Sequence, residues 1–142
     1  MKILIFGLPG SGKTTYANDL NKLLNYSRIN GDEVRKAAND WDFSYEGRIR
    51  QAVRIKELAD TMEDVIIDFV APYQKMRKII NPDFTIWMDT ITESIYQDTN
   101  IIFEQPYVGE DFGDGYIRIS KFGDDIPIVS CLITDIKKSF SL

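Results

Sequence analysis

The sequence has no histidine and a single cysteine in 142 residues. Without histidine, any acid–base step falls to carboxylates, lysine, tyrosine or water, and a His/Cys metal site is excluded. With only Cys131, no intrachain disulfide can form, and a reducing cytoplasm is the expected compartment. Cys131 lies in the apolar run IPIVSCLI and reads as a small core or edge residue. No stretch approaches the roughly 18 apolar residues of a membrane span. The opening MKILIF is short and lacks the small-residue cleavage site of a signal peptide, so neither anchor nor export signal is expected. Positive charge is also in short supply. The net charge is −5 and the pI about 4.7, which weighs against binding long nucleic acid, since that wants a basic face.

What is present is an ordinary globular balance, 44% apolar and 27% charged residues. The length suits one domain spanning residues 1–142. KILIF (Lys2–Phe6), VIIDF (Val65–Phe69) and FTIWM (Phe84–Met88) read as short buried strands. Ser27–Asn30 reads as a further short strand. Tyr16, Ala17, Leu20, Leu23 and Leu24 recur at helical spacing after Lys13. A helical turn is expected over Asp32–Ala38. A longer helix is expected over Glu46–Met62, with Ile49, Ala52, Val53, Leu58 and Ala59 on its apolar side. Pro72 ends the second buried strand and can open another helix. Strands alternating with helices predict a three-layer α/β fold, a parallel sheet flanked by helices. Beyond Thr92 the pattern weakens. Tyr116–Ser120 alternates like a half-exposed strand, Ile126–Ile133 reads as a last strand, and Gly109–Gly115 is an acidic, glycine-rich loop.

Gly7-Leu8-Pro9-Gly10-Ser11-Gly12-Lys13-Thr14 satisfies GxxxxGK[ST] at every fixed position, between a buried strand and a helix. Glycines let the backbone curl so that several N–H groups face one anion, and the helix adds its positive end. This is a P-loop. Gly7, Gly10, Ser11, Gly12, Lys13, Thr14 and Thr15 are the expected ATP-binding residues. Lys13 reaches the β- and γ-phosphates and Thr14 the Mg²⁺ ion.

Further motifs follow: INGDEVR (Ile29–Arg35), Asp42-Phe43-Ser44, Gly47-Arg48, Arg54, and Asp68-Phe69-Val70-Ala71-Pro72-Tyr73 with Arg77. In order and spacing these resemble the adenylylsulfate kinases, P-loop enzymes that phosphorylate the 3′-hydroxyl of adenylylsulfate. The family patterns are roughly GLSGAGKTT, DGDNVR, GFS..DR.ENIRR and SFISPYR..R. The resemblance covers residues 2 to about 92. It implies a P-loop kinase fold, ATP and Mg²⁺ as cofactors, and small nucleotide substrates as partners. It implies acceptor contacts at Asp32, Arg35, Phe43, Arg48, Gln51, Val70, Pro72 and Tyr73, with Lys13 and Asp32 catalytic. Phe43 would stack on the acceptor's base, Arg35 and Arg48 would clamp its anion, and Asp32 would orient its hydroxyl or a magnesium-bound water.

Plainer roles stand beside these. Asp32 can be a helix cap, Phe43 a core aromatic, Arg48 and Arg54 part of a solvated helix face. Asp68 can either orient magnesium water or cap the next turn. Trp41, Trp87 and Tyr73 read as core or pocket wall, and Arg50 and Lys56 as surface charges.

The chain departs from the family at Asn30 (the first Asp of DGD), Gln51 (the Asn of EN), Val53 (the first arginine of IRR) and Asp68 (the Ser of SFISPY). The family's long basic lid is replaced by Tyr96–Glu104, which carries no lysine or arginine. This shortened form is similar to adenylylsulfate kinase-like proteins of some large phages, which would place it in a host cytoplasm. A reduced lid implies weak acceptor affinity and extra ATP hydrolysis, unless a second copy of the chain completes the site as a homodimer, or Gly109–Lys121 folds over it with Arg118 or Lys121 supplying charge. Two alternatives stay open: a kinase for another nucleoside, nucleotide or modified DNA base, and a nucleotide-binding switch without turnover.

Overall fold

The computed structural model describes residues 1–121 and 125–141. Five strands form one parallel sheet in the order β2-β3-β1-β4-β5. They are β1 (Lys2–Phe6), β2 (Ser27–Asn30), β3 (Val65–Asp68), β4 (Phe84–Met88) and β5 (Gly115–Ile119). The helices are α1 (Lys13–Leu24), α2 (Gly31–Ala38), α3 (Tyr45–Ala59), α4 (Gln74–Ile80), α5 (Gln97–Ile102) and α6 (Ile126–Ser139). This is the three-layer α/β arrangement expected from alternating strands and helices.

The period of two along each strand assigns the layers. Leu4, Phe6, Val65, Ile67 and Trp87 face a core shared with Ala52 and Ile55 of α3 and Met76 and Ile80 of α4. Ile3, Ile5, Ile66, Phe84, Ile86 and Met88 face the opposite core, with Tyr16, Ala17 and Leu20 of α1 and Val129 and Ile133 of α6. Burying each such aliphatic side chain contributes about 1.5–3 kcal/mol before entropy is counted. Both faces are covered, so β1, β3 and β4 read as continuous apolar runs rather than alternating ones.

Four expectations are corrected. Ile126–Ile133 is not a strand but the first half of α6, with Pro127 in its first turn. Proline fits there because the N–H it lacks has no helical partner. Cys131 consequently faces solvent. On α3 the inward residues are Gly47, Arg48, Gln51, Ala52, Ile55 and Ala59, while Val53 and Leu58 are exposed. Leu23 of α1 is likewise exposed. No helix among the described residues is long and apolar enough to cross a membrane.

Candidate active site

The parallel sheet places the ends of β1, β2 and β3 side by side, and a cleft of about 790 Å³ opens beyond them. Ligand sites of open α/β sheets lie outside such carboxyl ends. The loop leaving β1 turns on Gly10 (φ 83°) and Gly12 (φ 92°), both left-handed. A side chain on Gly7 would sit 2.5 Å from the Met88 carbonyl oxygen, so the loop lies directly on β4. Gly12 is the N-cap of α1 and no side chain caps that end. The first-turn N–H groups are therefore available to an anion. Lys13 Nζ donates to the Leu8 carbonyl oxygen at 3.0 Å, folded back over the loop. Burial lowers its ammonium pKa from 10.5 to about 8, with Asp68 and Asp32 opposing the shift. Ser11 is buried, and its hydroxyl has no hydrogen-bond partner among the described residues.

Asp68 ends β3 with 1% exposure. It opposes Asn30 in the strand register. Its Oδ2 accepts from the Thr14 hydroxyl at 2.8 Å and from Asn30 Nδ2 at 2.8 Å. Its Oδ1 accepts from Arg28 Nη2 at 2.5 Å. Asp68 therefore does not cap the following turn; it serves the P-loop threonine. Asn30 Oδ1 accepts from the Glu33 N–H at 3.1 Å and caps α2. The capping role weighed for Asp32 thus belongs to Asn30. Asp32 sits in the first turn of α2 and lines the cleft.

On the far side of the cleft, Arg35 and Arg48 are each 5% exposed. Arg35 Nη1 donates to the carbonyl oxygens of Asp40 (2.9 Å) and Asp42 (3.3 Å). Arg48 Nε donates to the Phe43 carbonyl oxygen at 2.9 Å and its Nη2 to Thr99 Oγ1 at 3.4 Å. Their guanidinium carbons lie 4.3 and 5.3 Å from the centre of the Phe43 ring. Burial lowers the pKa of both, and for Arg35 the neighbouring Arg48 charge is the second cause. None of the ion pairs among the described residues includes either arginine. Both guanidiniums thus hydrogen-bond to neutral oxygens, with Asp40 and Asp32 near Arg35 and Asp98 near Arg48 acting only at longer range.

The remaining expected residues divide. Gln51 lines the cleft and donates from Nε2 to the Gly31 carbonyl oxygen at 2.9 Å. Val70, Pro72 and Thr15 also line it. Tyr73 does not. It is the N-cap residue of α4, and its ring meets Tyr45 edge-on at 4.9 Å. Arg54 pairs with Asp40 at 2.7 Å and braces the loop that carries Phe43. Arg50 also pairs with Asp40 and with Asp42 on the surface. Arg118 pairs with Asp89 and lies over Trp87, outside the cleft lining.

Sequence reasoning missed Arg28, whose diagonal relation to Asp68 is readable only once the β2–β3 register is known. It also missed Thr99 and Asp98 as cleft residues. Nothing in a six-residue segment signals contact with Arg48 at a sequence separation of 51.

A strand, a glycine loop closed by Lys13 and Thr14, and a facing cleft of arginines define a P-loop fold. Solved kinases share this fold. The chain superimposes on the *Mycobacterium tuberculosis* APS kinase CysC with a TM-score of 0.65 at 20% identity, covering 96% of each chain. It superimposes on a *Sinorhizobium meliloti* gluconokinase with a TM-score of 0.68 at 16% identity, covering 98% and 95%.

The adenylylsulphate kinase family profile matches residues 1–101, and the chain belongs to that family. It is 31% identical over 121 residues to the bifunctional enzyme NodQ of *Rhizobium meliloti*, 73% of this chain but only 19% of that protein's length. It is also similar to a probable adenylyl-sulfate kinase of *Aeropyrum pernix*, 29% identical over 76% of this chain and 69% of the relative.

Proposed function

We propose that this domain, residues 1–142, transfers the γ-phosphoryl group of ATP to the 3′-hydroxyl of adenylylsulfate. One observation carries the choice of acceptor. Arg35 and Arg48, buried and without carboxylate partners, flank the Phe43 ring in the same cleft as the P-loop. A guanidinium fork suits the oxygens of a sulfate or phosphate, and an aromatic ring suits a base. An acceptor bound by both would be a nucleotide carrying extra anionic charge.

Phosphoryl transfer asks the protein for position and charge more than for covalent chemistry. Lys13 and the α1 terminus hold the donor phosphates. Asp32, facing the cleft from α2, orients the acceptor hydroxyl and takes its hydrogen bond. The residues also fit a magnesium ion. Thr14 gives its proton to Asp68 and accepts one long contact, from Asn30 Nδ2 at 3.4 Å, which leaves a lone pair for a cation, with the Asp68 carboxylate beside it. Bound there, magnesium would neutralise phosphate charge, with Thr14 as direct ligand and Asp68 and Asp32 within reach of its waters.

A second reading, phosphorylation of another small hydroxyl compound of lower negative charge, such as a nucleoside, is favoured by α5, which brings Asp98 and no lysine or arginine to the cleft. Incubation with labelled ATP and a panel of acceptors, adenylylsulfate first, separates the two. Label in 3′-phosphoadenylylsulfate supports the main reading; label only in another acceptor replaces it.

A further inference from the structure

The α5 wall of the cleft is six residues long. A helix that short has no stability of its own in water. Yet Thr99 on it meets Arg48, so something outside the helix must set its place. At its start the support is local: Asn100 Oδ1 accepts from the Ser94 N–H and hydroxyl at 2.8 and 2.7 Å. At its end the chain runs into Arg77.

Arg77 is 1% exposed and Glu110, which it pairs with, 6%. Nε donates to Glu110 Oε2 at 2.8 Å and Nη2 to Oε1 at 3.0 Å. Nη2 also donates to the Glu104 carbonyl oxygen at 2.9 Å, just past α5. Nη1 donates to the Ala71 carbonyl oxygen at 2.9 Å. Ala71 lines the cleft with φ +44°, a left-handed conformation that a non-glycine residue holds only under outside constraint. The guanidinium carbon stacks 4.5 Å from the centre of the Phe6 ring, and Phe103 stacks on the same ring from α5's end. One side chain thus joins the cleft floor, the segment after α5 and the loop bearing Glu110. Parallel bonds complete the junction: the Glu104 N–H to the Pro72 carbonyl oxygen at 2.7 Å, and the Gln74 N–H to Glu104 Oε1 at 2.9 Å.

A buried ion pair contributes little net stability compared with apolar residues of the same volume. What this one supplies is geometry. We propose that Arg77, locked by Glu110, is a positioning residue for the acceptor site: it fixes α5 as a permanent wall, so that Thr99 supports Arg48 and Ala71 keeps the cleft floor in shape. The short segment is then not a mobile lid that closes on substrate but a fixed one. The acceptor half of this inference rests on the function proposed above; the anchoring half does not.

The test compares the unaltered protein with Glu110→Gln, which keeps shape and removes charge, and with Glu110→Asp, which keeps charge and shortens the reach. Two readouts are taken: amide hydrogen exchange, and steady-state kinetics with ATP and adenylylsulfate. Exchange at Asn100, Phe103 and Glu104 should rise about tenfold or more while β1 and β3 stay protected. The KM for adenylylsulfate should rise about tenfold, with kcat and the KM for ATP within about twofold. A rise in exchange spread evenly over the whole chain would overturn the proposal, since the pair would then be general stability. So would loosened α5 amides with an unchanged acceptor KM. If the unaltered protein does not use adenylylsulfate, the function proposed above fails, and the exchange data alone decide whether Arg77 anchors α5.

Discussion

The Thr14 hydroxyl donates to Asp68 Oδ2 at 2.8 Å, joining the first turn of α1 to the end of β3. The family pattern has an uncharged serine at position 68 and an aspartate at position 30; here the carboxylate stands on β3 and Asn30 faces it across the strand pair. The carboxylate is balanced by Arg28, itself held by Asn18. In this chain the charge beside the P-loop threonine therefore comes from the neighbouring strand.

That placement makes Asp68 matter to metal use. Asp68→Asn should weaken the gain in ATP affinity that magnesium brings, as should Thr14→Ala, with smaller effects on metal-free ATP. Asp68→Asn also leaves Arg28 without its counter-charge and should cost on the order of 1–3 kcal/mol of stability. Calorimetric titration with and without magnesium checks the first statement and a denaturant melt the second.

Lys13 gives a pH signature. Its folded pKa of about 8 lies below the ordinary 10.5. Between those values the unfolded chain binds more protons, so the nucleotide-free protein gains stability as pH rises through that window. Phosphate oxygens favour the charged ammonium and raise its pKa. ATP binding near pH 8.5 should therefore take up protons, and binding at pH 6.5 should not. Calorimetry in two buffers of different ionisation enthalpy reads the uptake. Lys13→Ala should abolish it, weaken ATP binding sharply and stop turnover.

Arg48→Ala should act on the acceptor. Losing one charge-assisted contact costs about 1.5–3 kcal/mol, or roughly ten- to a hundredfold in acceptor KM, with ATP affinity little changed. Equal losses for both substrates would indicate misfolding or a donor-side role.

Cys131 is exposed on α6. A thiol reagent should label it fully in the native protein without denaturant, and ATP turnover should survive, because the cleft lies on other elements. Labelling that requires unfolding would contradict the placement of α6.

The strands were legible because β1, β3 and β4 are buried on both faces and so are continuous apolar runs. The P-loop was legible because its spacing is dictated by the geometry of phosphate binding. Ile126–Ile133 was not, since a short apolar run with β-branched residues fits a strand or a buried helix equally. The helix shows only in the farther pattern, with Val129, Ser130 and Ile133 inward. On α3 the periodicity pointed to Val53 and Leu58, but the helix turns a polar face inward because it borders the cleft. Arg48 and Gln51 occupy positions that hydrophobicity alone assigns to solvent. Arg35, Phe43 and Arg48 were legible from their motif positions, and the fold brings all three to one cleft. Among the supports of that cleft, Arg77 falls on the motif that follows β3, but Arg28, Thr99 and Glu110 act across long sequence separations and leave no local pattern.

The reduced lid led to an expectation of weak acceptor binding and wasteful hydrolysis. The short α5 that lines the cleft carries no lysine or arginine to close over the substrates. Acceptor affinity should accordingly be weak, and ATP hydrolysis per transfer event higher than a full basic lid would allow. The most direct measurement follows γ-labelled ATP in the presence and absence of adenylylsulfate. The account predicts label in 3′-phosphoadenylylsulfate, ATP consumption that rises with added acceptor, and loss of that rise in Arg48→Ala. Equal release of labelled phosphate with and without adenylylsulfate, and no labelled nucleotide product, would contradict it.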